Sequence, residues 1–227
     1  MFTTGNSFAD YLFIAITFLP LLPAILILFF KNFGKEPLNL ILILCLVNFI
    51  RDVPVHLHML AKGDQNIINN VCYPIELTLL ARLFRTTMTK PVRNILTIVL
   101  VAFLSSLLTW LFIKGWESNN PGLEMVKNGL LIGVILLSLP SLVRSKGLDI
   151  FRSSLFWIAG GTLFYLLILL LLEWVNPCCI PYPDPAGVEN SILLSLAALI
   201  RYGLYVLAVL PGRDEVPAEE NVRSGPS

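Results

Sequence analysis

Apolar runs of about 20 residues recur along this chain, and they limit its possible folds more than any other feature. A helical run of that length matches the hydrocarbon core of a bilayer, which is roughly 30 Å thick. The chain is 14% charged, whereas soluble domains carry about 25% charged residues. We therefore predict an all-α fold, a polytopic membrane helix bundle. Seven transmembrane helices can be drawn, at residues 8–30, 37–61, 66–86, 91–114, 121–143, 150–175 and 188–210.

Basic residues are unevenly distributed between alternate loops of this bundle. Loops after the first, third and fifth spans, with their flanks, hold nine of them, and loops after the second, fourth and sixth hold two. The positive-inside rule places the basic loops in the cytoplasm. We therefore expect the N-terminus outside and the C-terminus cytoplasmic, with an odd number of spans. The nine are Lys31, Lys35, Arg82, Arg85, Lys90, Arg93, Arg144, Lys146 and Arg152, and the two are Lys62 and Lys114.

Residues 1–210 form the predicted transmembrane domain, and residues 211–227 are polar and rich in Pro and Glu. Such a composition does not bury enough apolar surface to order a core, so we expect a disordered cytoplasmic tail. The formal net charge is +1, so global charge gives no reason to expect a nucleic-acid partner. The expected surroundings are the lipid bilayer.

A carboxyl group lies near the middle of the third predicted span. Glu76 shares a helical face there with Asn69 and Tyr73. A carboxylate at this depth costs several kcal/mol unless it is partnered or protonated, so it marks a candidate functional site. We expect this face to turn inward.

Other spans carry polar residues at similar depths. The second carries Asn48, Arg51, Asp52 and His56 along one face, the fifth carries Lys127, and the seventh carries Arg201 and Tyr205. We expect Arg201 to pair with Glu76, with Arg51 as the competing partner. Consecutive residues on a helix diverge, so we expect Asp52 to pair with Lys127 rather than with Arg51.

The sixth span combines small and aromatic residues. Gly160 and Gly161 permit close approach of a neighbouring helix, whereas Trp157 and Tyr165 supply large rings. Trp157 is either a packing residue or an aromatic wall of a pocket. For the cluster as a whole, two interpretations stay open: a ligand or ion pocket, and a salt-bridge network that only fixes helix register.

Several chemistries fit the sequence poorly. His56 and His58 point about 200° apart around a helix, so they cannot coordinate the same metal ion. We therefore predict no metal site. The seventh span has no lysine for a Schiff base, and no serine lies in a nucleophile motif, so we predict no catalytic residues. A cofactor is not identifiable. For Cys72, Cys178 and Cys179 we favour free thiols over a disulfide between loop and helix.

Two short motifs suggest a resemblance. Tyr73-Pro74-Ile75-Glu76, followed by Phe156-Trp157-Ile158 with Gly161, Leu163 and Tyr165, resembles a family of uncharacterised seven-span integral membrane proteins common in Bacteroidota. That family is similar to membrane modules joined to sensor histidine kinases. The resemblance implies a bacterial inner (cytoplasmic) membrane location, and a joint role for the quoted Tyr, Glu and Trp residues.

We consider three hypotheses for the function. The first is a sensory or ligand-binding module, in which a small ligand, a lipid group or a proton at Glu76 shifts helix packing and signals to a separate membrane or cytoplasmic protein. The second is a structural or assembly subunit of a larger membrane complex. The third is a lipid-modifying enzyme or a transporter, which lacks support from a nucleophile, a metal set or an internal repeat. We do not expect an enzyme, although the sequence leaves this open.

Overall fold

The computed structural model describes residues 7–30, 36–56, 62–118, 121–175 and 185–210, and within these ranges it is helical, without strands. The predicted tail and most of the predicted connection 176–187 lie outside the described residues. The helices are α1 (Ser7–Phe18), α2 (Leu21–Phe29), α3 (Glu36–His56), α4 (Lys62–Arg85), α5 (Lys90–Lys114), α6 (Pro121–Lys146), α7 (Ser154–Val175) and α8 (Pro185–Val209), with a 3-10 helix, Gly147–Arg152, before α7.

Five of these helices are long and apolar enough to cross a membrane. The all-helical fold and the membrane class predicted from the sequence are therefore supported, whereas the number seven is not shown. Helix α4 is long enough but too polar by composition, and the apolar stretch Ile14–Phe29 is shorter than a full span. The five segments are Glu36–Pro54, Lys90–Lys114, Gly122–Arg144, Ser154–Leu172 and Ile192–Val209.

The first predicted span is not one helix, which corrects the prediction for residues 8–30. Helix α1 ends at Phe18, and α2 begins at Leu21. Pro20 causes the break, because proline has no amide hydrogen to donate and restricts the residue before it. Two short-range hydrogen bonds, from Leu19 N to Ile16 O (3.2 Å) and from Leu22 N to Leu19 O (3.1 Å), carry the chain through the break.

The sixth predicted span also needs correction at its start. Residues 150–152 belong to the 3-10 helix, and the α-helix begins only at Ser154. The other predicted spans agree with the structure to within a few residues, except that residues 57–61 at the end of the second lie outside the described ranges. The length of each apolar run therefore predicted the positions of these helices well. The break between α1 and α2 and the 3-10 helix before α7 are not visible in the hydropathy pattern.

The ends of α5 follow from local sequence. Thr89 is its extended N-cap residue, and Pro91 occupies the first turn, where a missing amide hydrogen costs nothing. Gly115 ends the helix at φ 90°, and its amide donates to Leu111 O over 2.9 Å. A residue with a side chain rarely adopts this φ, so glycine suits the stop.

Helices α7 and α8 form the most extensive helix pair. A Cβ atom on Gly161 would lie only 2.9 Å from the backbone oxygen of Arg201, which shows how closely the two backbones approach. Ser154, at the start of α7, donates to Ala208 O near the end of α8 (2.7 Å), so the helices are antiparallel. The close approach predicted for this glycine pair is confirmed for Gly161, whereas Gly160 faces open space.

Helix α4 lies between α3 and α6, and α8 packs against α7, α2 and α1. Arg82 near the end of α4 bonds Glu36 at the start of α3 (2.8 Å), so this pair is antiparallel as well. Helix α5 is peripheral and packs mainly against α4. It turns large apolar side chains such as Phe112 (79% exposed) outward, as expected of a face that meets lipid.

Candidate ligand-binding site

Glu76 lies near the middle of α4 and is only 4% exposed. Its Oε1 accepts a hydrogen bond from Arg201 Nη2 on α8, over 3.1 Å. Its Oε2 lies 3.6 Å from Arg51 Nη1 on α3 and 3.7 Å from Lys127 Nζ on α6. One carboxylate thus faces three cations from three different helices. The pairing with Arg201 expected from the sequence is confirmed, and the competing partner Arg51 is present as well.

Arg51 also pairs with its neighbour in sequence. Its Nε donates to Asp52 Oδ1 over 2.8 Å, and both side chains are partly exposed. This corrects the expectation that Asp52 would pair with Lys127. The reason is length: the arginine side chain can fold back to a carboxylate that points away from it, and Lys127 reaches Glu76 instead.

Lys127 is enclosed on α6. Its Nζ lies 3.8 Å from the centroid of the Tyr73 ring, a cation–π contact, and the residue is 4% exposed. The hydroxyl of Tyr73 donates to Glu124 Oε1 over 2.7 Å. Lys127 is therefore held by a carboxylate and an aromatic face, with Glu124 one turn away on its own helix.

Arg201 on α8 is 2% exposed and is surrounded by tyrosines. Its Nε donates to Tyr205 OH over 3.1 Å, and that hydroxyl also shares a hydrogen bond with Thr162 Oγ1 over 2.6 Å. The guanidinium carbon lies 4.9 Å from the Tyr165 ring centroid and 5.7 Å from that of Tyr202. These contacts fix the direction of the guanidinium toward Glu76.

Asn48 on α3 closes the cluster on the side of α8. It is fully buried, and its Nδ2 donates to Tyr202 OH over 3.2 Å. Its Oδ1 has no hydrogen-bond partner among the described residues. A buried acceptor of this kind is a place where a donor from a ligand or a water molecule would be stabilised.

We call Arg51, Asp52, Glu76, Lys127 and Arg201 the charged cluster. With all side chains ionised it carries three positive and two negative charges, so it has an excess of cation. Glu124 lies one turn beyond Lys127 and supplies the balancing negative charge. Contacts of 3.6 and 3.7 Å are longer than good hydrogen bonds, so Arg51 and Lys127 keep donor capacity toward Glu76 or toward another anion.

A small cavity adjoins the cluster at Lys127. Its volume is about 20 Å³, which is enough for roughly one water-sized group. Tyr73 and Glu124 line its polar side, and α5 closes it with apolar side chains. The lining from α5 comprises Phe103, Leu107 and Trp110.

The structure brings together most of the residues selected from the sequence as ligand-binding candidates. These are Asn48, Arg51, Asp52, Tyr73, Glu76, Lys127, Tyr165, Arg201 and Tyr205. Their role in binding a ligand stays a prediction.

Three other candidates lie elsewhere or are not described. Trp157 packs against Phe151 and Phe156 in the first turn of α7 and donates to Phe151 O (2.7 Å), which favours the packing interpretation. Asn69 is partly buried on α4 without a bond to the cluster among the described residues. The side chain of His56 lies outside the described residues.

Sequence reasoning missed four residues that contact the site or position it: Glu124, Thr162, Tyr202 and Asn70. Glu124 precedes Lys127 by three residues and so shares its helical face, a spacing that could have identified it. Asn70 donates to Trp116 O (2.8 Å) and Ser118 O (3.0 Å), which ties α4 to the connection after α5. Thr162 and Tyr202 gave no signal, because their roles depend on how α7 and α8 rotate against each other.

Within the described ranges, no group of three or more His, Cys, Asp and Glu side chains could hold a metal ion. Cys45 and Cys72 are free, buried thiols. For Cys72 this agrees with the interpretation favoured from the sequence, whereas Cys178 and Cys179 lie outside the described residues.

The fold and the cluster define a class: a helical membrane protein with a buried network of charged residues. No protein-family model, curated protein or solved structure matches the chain. The resemblance to the seven-span proteins of Bacteroidota therefore stays an expectation from the sequence.

Proposed function

We propose that this protein is a membrane-embedded ligand-binding module whose charged cluster takes up an anionic group and passes the change in helix packing to a separate protein. The observation that carries the proposal is the meeting of three cations from three helices at one carboxylate, Glu76. A network built only for stability would be expected to match its charges at hydrogen-bond distance. Here two of the three cations stand farther from Glu76.

The geometry suggests how binding would move the helices. An anion placed beside Lys127 and Arg51 would compete with Glu76 for both cations. Because these groups lie on α6, α3 and α4, weaker attraction to Glu76 would loosen α4 from its two neighbours. A ligand shifts an equilibrium only by its different affinity for the two arrangements, and exchange of ion pairs supplies such a difference.

We place seven spans across a bacterial inner membrane, with the N-terminus outside and the C-terminus in the cytoplasm. In this topology α1 and α2 together form the first span and α4 the third. Helix α4 has 24 residues, which corresponds to about 36 Å at 1.5 Å per residue. Its polar composition is acceptable in a membrane because Glu76 and Tyr73 face protein partners.

Thermal unfolding in lipid nanodiscs tests the proposal, with sodium acetate and inorganic phosphate as probes and chloride at equal ionic strength as the reference. A bound anion stabilises the folded state by mass action, so we expect a concentration-dependent rise in Tm. Lys127→Gln should abolish this rise, whereas Arg82→Gln, which alters an exposed ion pair with Glu36, should retain it. An equal rise in all three proteins would contradict binding at the cluster.

A second candidate is a structural or assembly subunit, and one observation favours it. The cavity at the cluster is only about 20 Å³, so the polar groups are already closely packed. This candidate predicts that the protein leaves its membrane in fixed stoichiometry with other proteins. It also predicts that joint replacement of Glu76 and Arg201 by neutral residues preserves that association, as buried ion pairs can be exchanged for apolar ones.

A further inference from the structure

A long apolar groove lies between α4 and the peripheral helix α5, on the outer surface of the bundle. Its volume is about 470 Å³. On α4 it runs from Asn70 to Leu79, and on α5 it is bordered by leucines from Leu104 to Leu111. The hydroxyl of Thr78, one of its few polar groups, donates to Pro74 O (2.7 Å). The groove therefore offers an almost purely hydrocarbon surface.

The length of the groove matches one leaflet of a bilayer. Asn70 and Leu79 are nine residues apart on α4, which corresponds to about 14 Å. Half of the hydrocarbon core measures about 15 Å. Trp116, just beyond the end of α5, lines the groove at one end, and tryptophan is enriched at the boundary between lipid and water. The groove thus runs from that boundary toward the middle of the bilayer.

The groove adjoins the small cavity at Lys127. Asn70 and Leu107 line both spaces. The amide of Asn70 is held by the carbonyl oxygens of Trp116 and Ser118, which fixes this shared wall. A hydrocarbon surface the length of one leaflet therefore lies beside a cavity that a buried ammonium group lines.

We infer that the groove and the cavity together bind a long-chain fatty acid, with the acyl chain between α4 and α5 and the carboxylate at Lys127. The inference rests on the proposed function, for which it names the ligand class. The cavity is small, about 20 Å³, and a carboxylate is the smallest anionic group that a lipid carries, so it suits this space better than a bulkier phospholipid headgroup. Lys127 supplies the opposite charge.

Glu124 opposes this ligand. Its carboxylate lines the same cavity and carries the same charge as the fatty acid. The hydroxyl of Tyr73 donates to Glu124 Oε1, so this oxygen is directed to the tyrosine. Lys127 is the cation in the cavity lining that the carboxylate of a fatty acid would contact. Replacement of Lys127 and of Glu124 should therefore change fatty-acid affinity in opposite directions.

The experiment measures quenching of tryptophan fluorescence by dibromostearate, in nanodiscs of zwitterionic phosphatidylcholine that contain the full chain. Trp110 lines the cavity and Trp116 the groove, so both report on a bound chain. Wild type should show saturable quenching, and a variant with both tryptophans changed to Phe should lose it. Lys127→Gln should raise the half-saturating concentration about tenfold or more, because a charge-assisted contact is lost, and Glu124→Gln should lower it.

Ile75→Phe adds bulk to the groove without touching the charged cluster, and it should weaken quenching as well. Quenching that rises without saturation and equally in Lys127→Gln overturns the inference, because the fatty acid would then only dissolve in the bilayer. Saturable, Lys127-dependent quenching by brominated phosphatidylglycerol at lower mole fractions than by dibromostearate overturns it as well. If one of these results is found and acetate still raises Tm in a way that depends on Lys127, only the fatty-acid inference fails. If acetate does not raise Tm, the proposed function fails as well.

Discussion

Glu76 on α4 and Arg201 on α8 are 125 positions apart in sequence, and Arg201 Nη2 donates to Glu76 Oε1 across 3.1 Å in the interior of the bundle. This ion pair connects two helices that pack against different neighbours: α4 packs against α3 and α6, and α8 packs against α7, α2 and α1. A change at either residue is therefore expected to reach most of the bundle.

Glu76→Gln should be strongly destabilising, because it leaves Arg51, Lys127 and Arg201 near one another without their shared anion. Removal of one partner from a buried ion pair costs about 3–5 kcal/mol. Arg82→Gln removes an exposed pair and should cost about 1 kcal/mol or less. The free energy of unfolding can be measured by SDS titration in mixed micelles. Equal losses for the two variants would show that Glu76 does not organise the cluster.

Gly161→Ala should separate α7 from α8. The added Cβ would lie 2.9 Å from Arg201 O and 3.2 Å from Leu204 Cβ, so a backbone has to move. We expect a loss of about 1–3 kcal/mol, as for overpacking of a core. Gly160→Ala is the matched control, because its Cβ meets open space and alanine favours a helix by about 1 kcal/mol over glycine. If the two substitutions behave alike in the same titration, close backbone packing at Gly161 is not what joins these helices.

Tyr205→Phe should destabilise the fold by about 1–3 kcal/mol, because Arg201 Nε and Thr162 Oγ1 both lose a buried hydrogen-bond partner. Tyr165→Phe keeps the ring that faces the guanidinium at 4.9 Å and should cost less. Hydrogen exchange of α8 amides gives a second measurement, with faster exchange expected near Arg201 only for Tyr205→Phe. A larger effect from Tyr165→Phe would mean that the orientation of Arg201 depends on a different contact.

The proposed topology predicts the side of each connection. A single cysteine introduced at Thr87, between α4 and α5, should be protected from a membrane-impermeant maleimide in intact cells. One introduced at Glu117, after α5, should be labelled. These reagents react on one side of the membrane only, and the background is a variant without native cysteines. Labelling of the first site and protection of the second would reverse the orientation inferred from the basic residues.

The sequence predicted the helices and the central ion pair because both depend on strong local rules. Apolar length locates a span, and a carboxylate in the middle of one demands a cation. Arg201 was identifiable because its depth on the last span matches that of Glu76. The break at Pro20 was readable in principle, but the apolar run continues through it and hides it in a hydropathy pattern.

The rest depended on packing that a sequence does not specify. The predicted pairing of Asp52 with Lys127 was wrong, because helical spacing does not determine the conformation of a long arginine side chain. Thr162 and Tyr202 take part because the close approach at Gly161 sets how α7 and α8 face each other. Likewise, the groove between α4 and α5 arises from the peripheral position of α5, which hydropathy does not encode.

Native mass spectrometry of the protein, released from its own membrane in nanodiscs, tests most directly whether the charged cluster binds an anionic ligand. We expect a defined adduct on the wild-type protein that yields an anionic compound on dissociation. The adduct should be lost in Lys127→Gln and retained in Arg82→Gln. A wild-type protein without an adduct, or one that carries the same adduct equally in both variants, would contradict binding at the cluster.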